Sequence, residues 1–131
     1  MFMLDTNICS YILKARPPSV LWTFLRHDPS ELAVSEVVAA ELYYGAERAG
    51  ASRTMAIRAD VADFLSRLRI LPWQGRFAYA KLRCHLESIG RPIGNNDLLI
   101  ASHALTQGAT LVTDDVAELS RIPDLLVENW V

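Results

Sequence analysis

The sequence predicts an α/β fold built on a parallel sheet, and three features carry that expectation. Short apolar runs alternate with longer segments whose hydrophobic residues recur at helical spacing, the pattern of strands joined by crossover helices. At 131 residues, 51% hydrophobic and 21% charged, the chain has the length and composition of one compact domain. Carboxylates punctuate the segments. Asp5, Glu41, Asp97 and the pair Asp114-Asp115 sit where an apolar run ends or where a mostly apolar helix begins or passes.

In chain order, Phe2 to Leu4 reads as a first strand and Thr6 to Ala15 as a helix stopped by Pro17-Pro18. Val20, Leu21, Phe24 and Leu25 mark a second short helix. Leu32-Ala33-Val34 is a strand, and Ser35 is a natural N-cap for a helix running to about Arg48. Ala49-Gly50-Ala51-Ser52 interrupts the pattern, after which Ile57, Val61, Phe64, Leu65 and Leu68 fall on one helical face. Ile70 to Trp73 is a strand, and Pro72 makes it short or an edge. Tyr79, Leu82, Leu86 and Ile89 define the next helix, with Arg83 and Glu87 as an i,i+4 pair and Gly90 as its end. After the Pro92–Gly94 loop, a helix runs from Asp97 to about Gln107 and stops at Gly108. Thr110 to Val112 is a strand, Asp114-Asp115 a turn, and Leu125 to Val127 a last strand. No repeat or linker divides residues 1–131, so a single domain is expected.

A chain of this length buries roughly 68% of its unfolded surface and needs no disulfide to do so. Cys9 and Cys84 lie in helical segments without CxxC or CxxH spacing and read as reduced core residues. No signal-like opening and no run of about 18 apolar residues is present, so a soluble cytoplasmic protein with no membrane association is expected. The net charge of −2 argues only weakly against nucleic acid, because distribution outweighs sum. With several acids gathered around metal ions, the thirteen Lys and Arg residues outnumber the acids that remain. Lys14, Arg16, Arg48, Arg53, Arg76, Lys81, Arg83 and Arg91 are the candidates for a phosphate-binding surface.

Ligands of open parallel sheets bind beyond the carboxyl ends of the strands. Asp5 follows the first strand and Asp114-Asp115 follows the Thr110–Val112 strand, so both emerge on one edge of the sheet; a helix opened by Asp97 begins there too. Each acid has a bland alternative. Asp5 suits a helix cap, Asp97 a helix dipole, and Asp114-Asp115 a turn. Glu41 lies beside the buried stripe of its helix, near Val37, Val38, Tyr44 and Gly45, and wants a cation, for which Arg48 is the local candidate. Converging carboxylates repel one another unless a cation joins them, and an all-oxygen set suits Mg²⁺ or Mn²⁺ rather than zinc. His27, His85 and His103 lack ligand spacing and read as surface or packing residues; no GxSxG elbow or GxxxxGK[ST] loop occurs. Trp22, Trp73 and Trp130 are expected in core or interface packing.

MLDTNI at 3–8, AELYYGAE at 40–47, GRPIGNNDLLIASHAL at 90–105, LVTDD at 111–115 and VENW at 127–130 stand in an order and spacing that resembles the PIN-domain ribonucleases, specifically the VapC toxins of bacterial toxin–antitoxin pairs. The resemblance spans the whole chain. It implies a three-layer α/β/α fold with a central parallel sheet and an acidic pocket for one or two Mg²⁺ or Mn²⁺ ions. Residue by residue, Asp5, Glu41, Asp97 and Asp115 match the family's four acids, with Asp114 as an alternative to Asp115, and Thr6 and Thr113 match hydroxyls supporting the pocket. Asn95 replaces a proline common in relatives and is expected only to loosen its loop.

The activity implied is metal-dependent endoribonuclease cleavage leaving a 5′-phosphate and a 3′-hydroxyl, with tRNA, above all the anticodon loop of initiator tRNA, as substrate. The partners implied are a VapB-type antitoxin and a second copy of the chain, for which Trp22, Phe24 and Leu25 are candidate contacts. Two other classes stay open at this point: a catalytically silent partner acting through antitoxin and operator binding, and a metal-dependent phosphatase-like domain. Against the latter, Asp5 is followed by Thr6-Asn7 rather than a DxD context, and no Lys follows Lys81.

Overall fold

The computed structural model describes residues 1–131 and places five parallel strands at the centre of the chain. These are β1 (Phe2–Leu4), β2 (Leu32–Ser35), β3 (Arg69–Leu71), β4 (Thr110–Val112) and β5 (Leu126–Glu128), in the spatial order β3-β2-β1-β4-β5. Helices cover both faces, giving three layers. They are α1 (Thr6–Lys14), α2 (Pro18–Arg26), α3 (Glu36–Arg48), α4 (Ala51–Leu65), α5 (Arg76–Ser88), α6 (Asn95–Gln107) and α7 (Val116–Leu119), with a 3-10 turn at Pro29–Glu31. Strand order reverses direction beside β1: the chain winds outward through β2 and β3, then returns to β4 on the other side. Leu4 pairs with Val112, so β1 and β4 end level with each other and open a crevice at the switch point.

The parallel sheet follows from strand composition. Met3, Leu4 and all four residues of β2 are buried, as strands covered on both faces must be. Their side chains join one cluster of 30 buried residues with Ile8 and Ile12 of α1, Val38 and Leu42 of α3, and Ile100 and Ala104 of α6. β3 lies at the sheet edge, as Pro72 foretold. Ser35 caps α3, its hydroxyl accepting from the Val37 amide at 3.2 Å.

The structure revises several expectations. Asp114-Asp115 is more than a turn, because Asp115 caps the short helix α7, too brief to show a hydrophobic period. The helix expected from Asp97 begins two residues earlier at Asn95, and α4 begins at Ala51 inside the supposed interruption. Cys9 is buried as expected, but Cys84 is exposed on the solvent face of α5. Phe24 is buried against Phe64 and is no surface contact, whereas Trp22 and Leu25 stand 62% and 64% exposed. Trp130 is buried and stacks on His27 at 4.8 Å, with Phe2 edge-on to the same imidazole.

Gly75 shows how closely α5 meets α6. It sits at φ +152°, and a Cβ there falls 3.0 Å from the Ser102 carbonyl carbon and 3.2 Å from the His103 nitrogen. Both atoms belong to the middle of α6 and cannot move aside. Gly75→Ala is therefore expected to destabilise the protein by about 1–3 kcal/mol in urea unfolding. Unchanged stability would mean that α5 can shift without cost.

Candidate active site

The crevice beyond β1 and β4 is built from carboxylates on five separate elements. Asp5 ends β1 and caps α1, its Oδ1 accepting the Ile8 amide at 2.9 Å. The backbone amide of Asp5 itself donates to the Val112 carbonyl at 3.0 Å, which fixes the residue to the end of β4. Only 8% of Asp5 is exposed. Burial is the main force lifting its pKa from 3.8 to about 6; the Thr113 hydroxyl and the Ile8 amide oppose that rise, and the negative charges of Asp114 and Asp97 add to it.

Glu41 reaches the crevice from the middle of α3. Its Oε1 accepts the Thr6 hydroxyl at 2.5 Å and its Oε2 accepts the Asn96 amide at 3.1 Å. Arg48, the cation nearest in sequence, instead lies over the Tyr44 ring with its guanidinium carbon 5.5 Å from the centroid. A surface ion pair thus does not explain Glu41. Asp97 stands in the first turn of α6, and its pKa is raised by burial, then by Glu41, Asp115 and Asp114. Glu41, Asp97, Gly94 and the two asparagines line an open groove of about 400 Å³.

Both members of the Asp114-Asp115 pair face the crevice, and different contacts hold them. Asp114 Oδ2 accepts the Tyr11 hydroxyl at 2.6 Å, which raises the phenol's own pKa. The Asp115 amide donates to the buried Thr113 hydroxyl at 3.0 Å, and its Oδ1 accepts the Glu118 amide at 3.3 Å. Thr6 and Thr113, expected as supporting hydroxyls, do support acids: Thr6 orients Glu41, and Thr113 braces Asp115 beside Asp5.

Glu118 escaped the sequence reading. Its pKa is raised by burial, then by the charges of Asp115 and Asp97 and a hydrogen bond with Asp115, and Arg121 only partly offsets these. Its Oε1 is buried with no hydrogen-bond partner. The signal was present: Asp115-Val-Ala-Glu118 has the spacing of a capping box, which starts a helix and turns the glutamate back toward its cap. Tyr11 and Asn96 also went unread, because only the fold brings α1 to Asp114 and α6 to Glu41. Asn95 does not loosen its loop. It accepts the Tyr79 hydroxyl at 2.6 Å and ties the start of α6 to α5.

None of these six acids takes part in an ion pair; the three in the structure are Arg58–Glu47, Arg67–Asp63 and Arg83–Glu87. No three of the acids form a ready-made metal cage; Asp5, Glu41, Asp114 and Asp115 lean on neutral donors or the helix backbone instead. The donor set nonetheless fits a hard divalent cation. It is entirely oxygen, strongly anionic and partly desolvated, and it includes an unpartnered buried carboxylate oxygen at Glu118.

The PIN domain family model matches residues 2–125. The chain belongs to the PIN-domain family. Within this family it is 44% identical to the ribonuclease VapC2 of Rickettsia felis, an alignment covering 99% of this chain and 98% of that one. It is 36% identical to the tRNA(fMet)-specific endonuclease VapC of Salmonella typhimurium, over 98% and 97% of the two chains. Among solved structures, VapBC2 of Rickettsia felis bound to a promoter DNA fragment superposes with a TM-score of 0.89 at 41% identity, over 99% of this PIN domain and 98% of that chain. The expected three-layer fold and the VapC resemblance are thereby borne out. No helix of this PIN domain is long and apolar enough to cross a membrane.

Proposed function

We propose that this VapC-type endoribonuclease, the toxin of a VapBC-type pair, depends on a divalent metal and acts on tRNA in the cytoplasm. One observation carries the reading. Acids from β1, α3, α6 and the β4–α7 junction converge at the sheet's switch point with no cationic side chain paired to them. Asp5, Glu41, Asp97 and Asp115 hold Mg²⁺ or Mn²⁺ in this reading, with Asp114 and Glu118 beside them. A cation bound there lowers the pKa of a water and offsets the charge that builds on the phosphate during attack.

The chain's own residues set the stage for that chemistry. Thr6 and Asn96 fix both oxygens of Glu41, and Tyr11 fixes one oxygen of Asp114, which reduces the reorganisation required when substrate arrives. Attack by water rather than the ribose 2′-hydroxyl leaves a 5′-phosphate and a 3′-hydroxyl. Support for tRNA, and for initiator tRNA in particular, comes from the Salmonella relative named as tRNA(fMet)-specific. A VapB-type antitoxin is the partner supported by the VapBC complexes that superpose on this fold. Association into a homodimer completes the proposal; the exposed Trp22 and Leu25 of α2 are available for either contact.

The test is cleavage of total and initiator tRNA in Mg²⁺ or EDTA, beside Asp97→Asn and Glu118→Gln. Wild type is expected to cut only with metal, Asp97→Asn to lose activity by about 10²-fold or more, and Glu118→Gln to need more Mg²⁺ for half-maximal rate. Equal cutting by wild type and Asp97→Asn would rule the site out.

A further inference from the structure

A second cleft, of about 330 Å³, opens between α5 and the loop leading into α6. It shares Asn95 with the acidic groove. Leu86, Pro92 and Ile93 supply its apolar wall, while Arg83 and Glu87 supply charge. The guanidinium is fixed on two sides: Nε donates to Glu87 Oε1 at 2.9 Å and Nη1 donates to the Tyr79 hydroxyl at 2.9 Å. Nη2 has no partner within the chain. Tyr79 in turn donates to Asn95 at 2.6 Å, so hydrogen bonds run unbroken from Glu87 through Arg83 and Tyr79 to the start of α6. That chain ends two residues before Asp97, about 3 Å along the helix axis.

Stability does not demand such an array. Arg83 and Glu87 are both 58% exposed in their side chains, and exposed ion pairs contribute little. Nor does the cleft suit a phosphate, because Glu87 cancels the charge of Arg83. An apolar wall beside a fixed donor and a fixed acceptor suits a flat, uncharged ring with hydrogen-bonding edges.

We propose that this cleft binds one unpaired nucleobase of the RNA substrate, flanking the scissile phosphate, and that Arg83 and Glu87 set the base preference of cleavage there. The inference rests on the nuclease reading above. RNA sequence is read mainly on unpaired bases, through packing of the base face and hydrogen bonds to its edge. Arg83 presents donors to the acceptor atoms of a base, Glu87 accepts from its amino or imino groups, and Leu86, Pro92 and Ile93 cover a face. Tyr79 is a positioning residue, coupling the cleft to the helix that carries Asp97.

The experiment digests a pool of short single-stranded RNAs, randomised around the centre, and sequences the new ends. Wild type is compared with Arg83→Ala, Glu87→Gln, Tyr79→Phe and Lys81→Ala, with thermal melts to confirm folding. Lys81→Ala removes the same charge from the same helix but lines a different groove, with Cys84 and His85. Wild type is expected to favour one base by about fivefold or more at one position beside the cut. Arg83→Ala should flatten that preference while pool cleavage falls less than about tenfold, and Lys81→Ala should preserve it. Preference that survives Arg83→Ala, that is lost equally in Lys81→Ala, or that wild type never shows overturns the assignment. Failure of wild type to cut any RNA strikes the nuclease reading instead, so the two failures are distinct.

Discussion

Asp5→Asn is expected to lose RNA cleavage by on the order of 10²–10³-fold while making the metal-free protein more stable at neutral pH. The two effects share one cause. Asp5 is nearly buried and faces Asp114 and Asp97, so its ionised form is costly when the protein is folded. Its folded pKa of about 6 lies above the 3.8 of the free side chain, so the folded state holds the proton more tightly than the unfolded chain does. The resulting penalty is absent below about pH 4, grows as pH rises, and is complete above about pH 6, where it amounts to roughly 3 kcal/mol as an upper figure. Asparagine carries no charge, keeps the shape, and retains an oxygen for the Ile8 amide, so the α1 cap survives. Thermal melts should therefore show the variant gaining stability near pH 7.5 and matching wild type near pH 4. A variant less stable than wild type at both pH values would mean that the carboxylate is not strained. Full nuclease activity in the variant would remove Asp5 from the proposed metal site.

Mg²⁺ is expected to stabilise the wild-type protein strongly at neutral pH and progressively less as pH falls below about 6. A ligand that binds only the folded state adds about 2.7 kcal/mol at a hundredfold excess over its Kd. Ionised carboxylates are needed for that binding, and the pKa values of Asp5, Asp97 and Glu118 are all raised, chiefly by burial and then by the acids around them. As pH falls through about 6, Asp5 takes up its proton and competes with the metal. Melts with Mg²⁺ against EDTA, repeated across that range, read the linkage directly and need no RNA. Asp97→Asn should lose most of the Mg²⁺ response. A melting temperature indifferent to Mg²⁺ near pH 7.5 would count against the metal site whatever the outcome of the cleavage assays.

The strand signals were legible because the apolar runs are short and bounded. Phe2–Leu4 and Thr110–Val112 stand where their composition put them, and β3 stands at the edge but ends at Leu71, before Pro72 and Trp73. The acids Asp5 and Asp114-Asp115 could be placed on one rim because parallel strands send their carboxyl ends the same way. Glu41 was legible for a different reason, as a carboxylate beside an apolar stripe that its own helix could not neutralise. Less legible were features whose cause lies far along the chain. Cys84 and Phe24 both fall in helical segments, yet only packing decides that the first is exposed and the second buried. Helix α7 is a single turn, too short for any periodicity to register.

By itself, the sequence determined which residue types end each strand, and hence that several carboxylates share the crevice edge of a parallel sheet. Local spacing and hydropathy suffice for that, because strand direction and helix period are properties of neighbours in the chain. Tertiary structure alone decided the partners across long separations. It joined Thr6 to Glu41, Tyr11 to Asp114, Asn96 to Glu41 and Tyr79 to Asn95. It also brought Glu118 to Asp97 and left one of its oxygens without a partner. These contacts depend on strand order and helix docking, which are set by burial of the whole core and leave no periodic trace in any single segment.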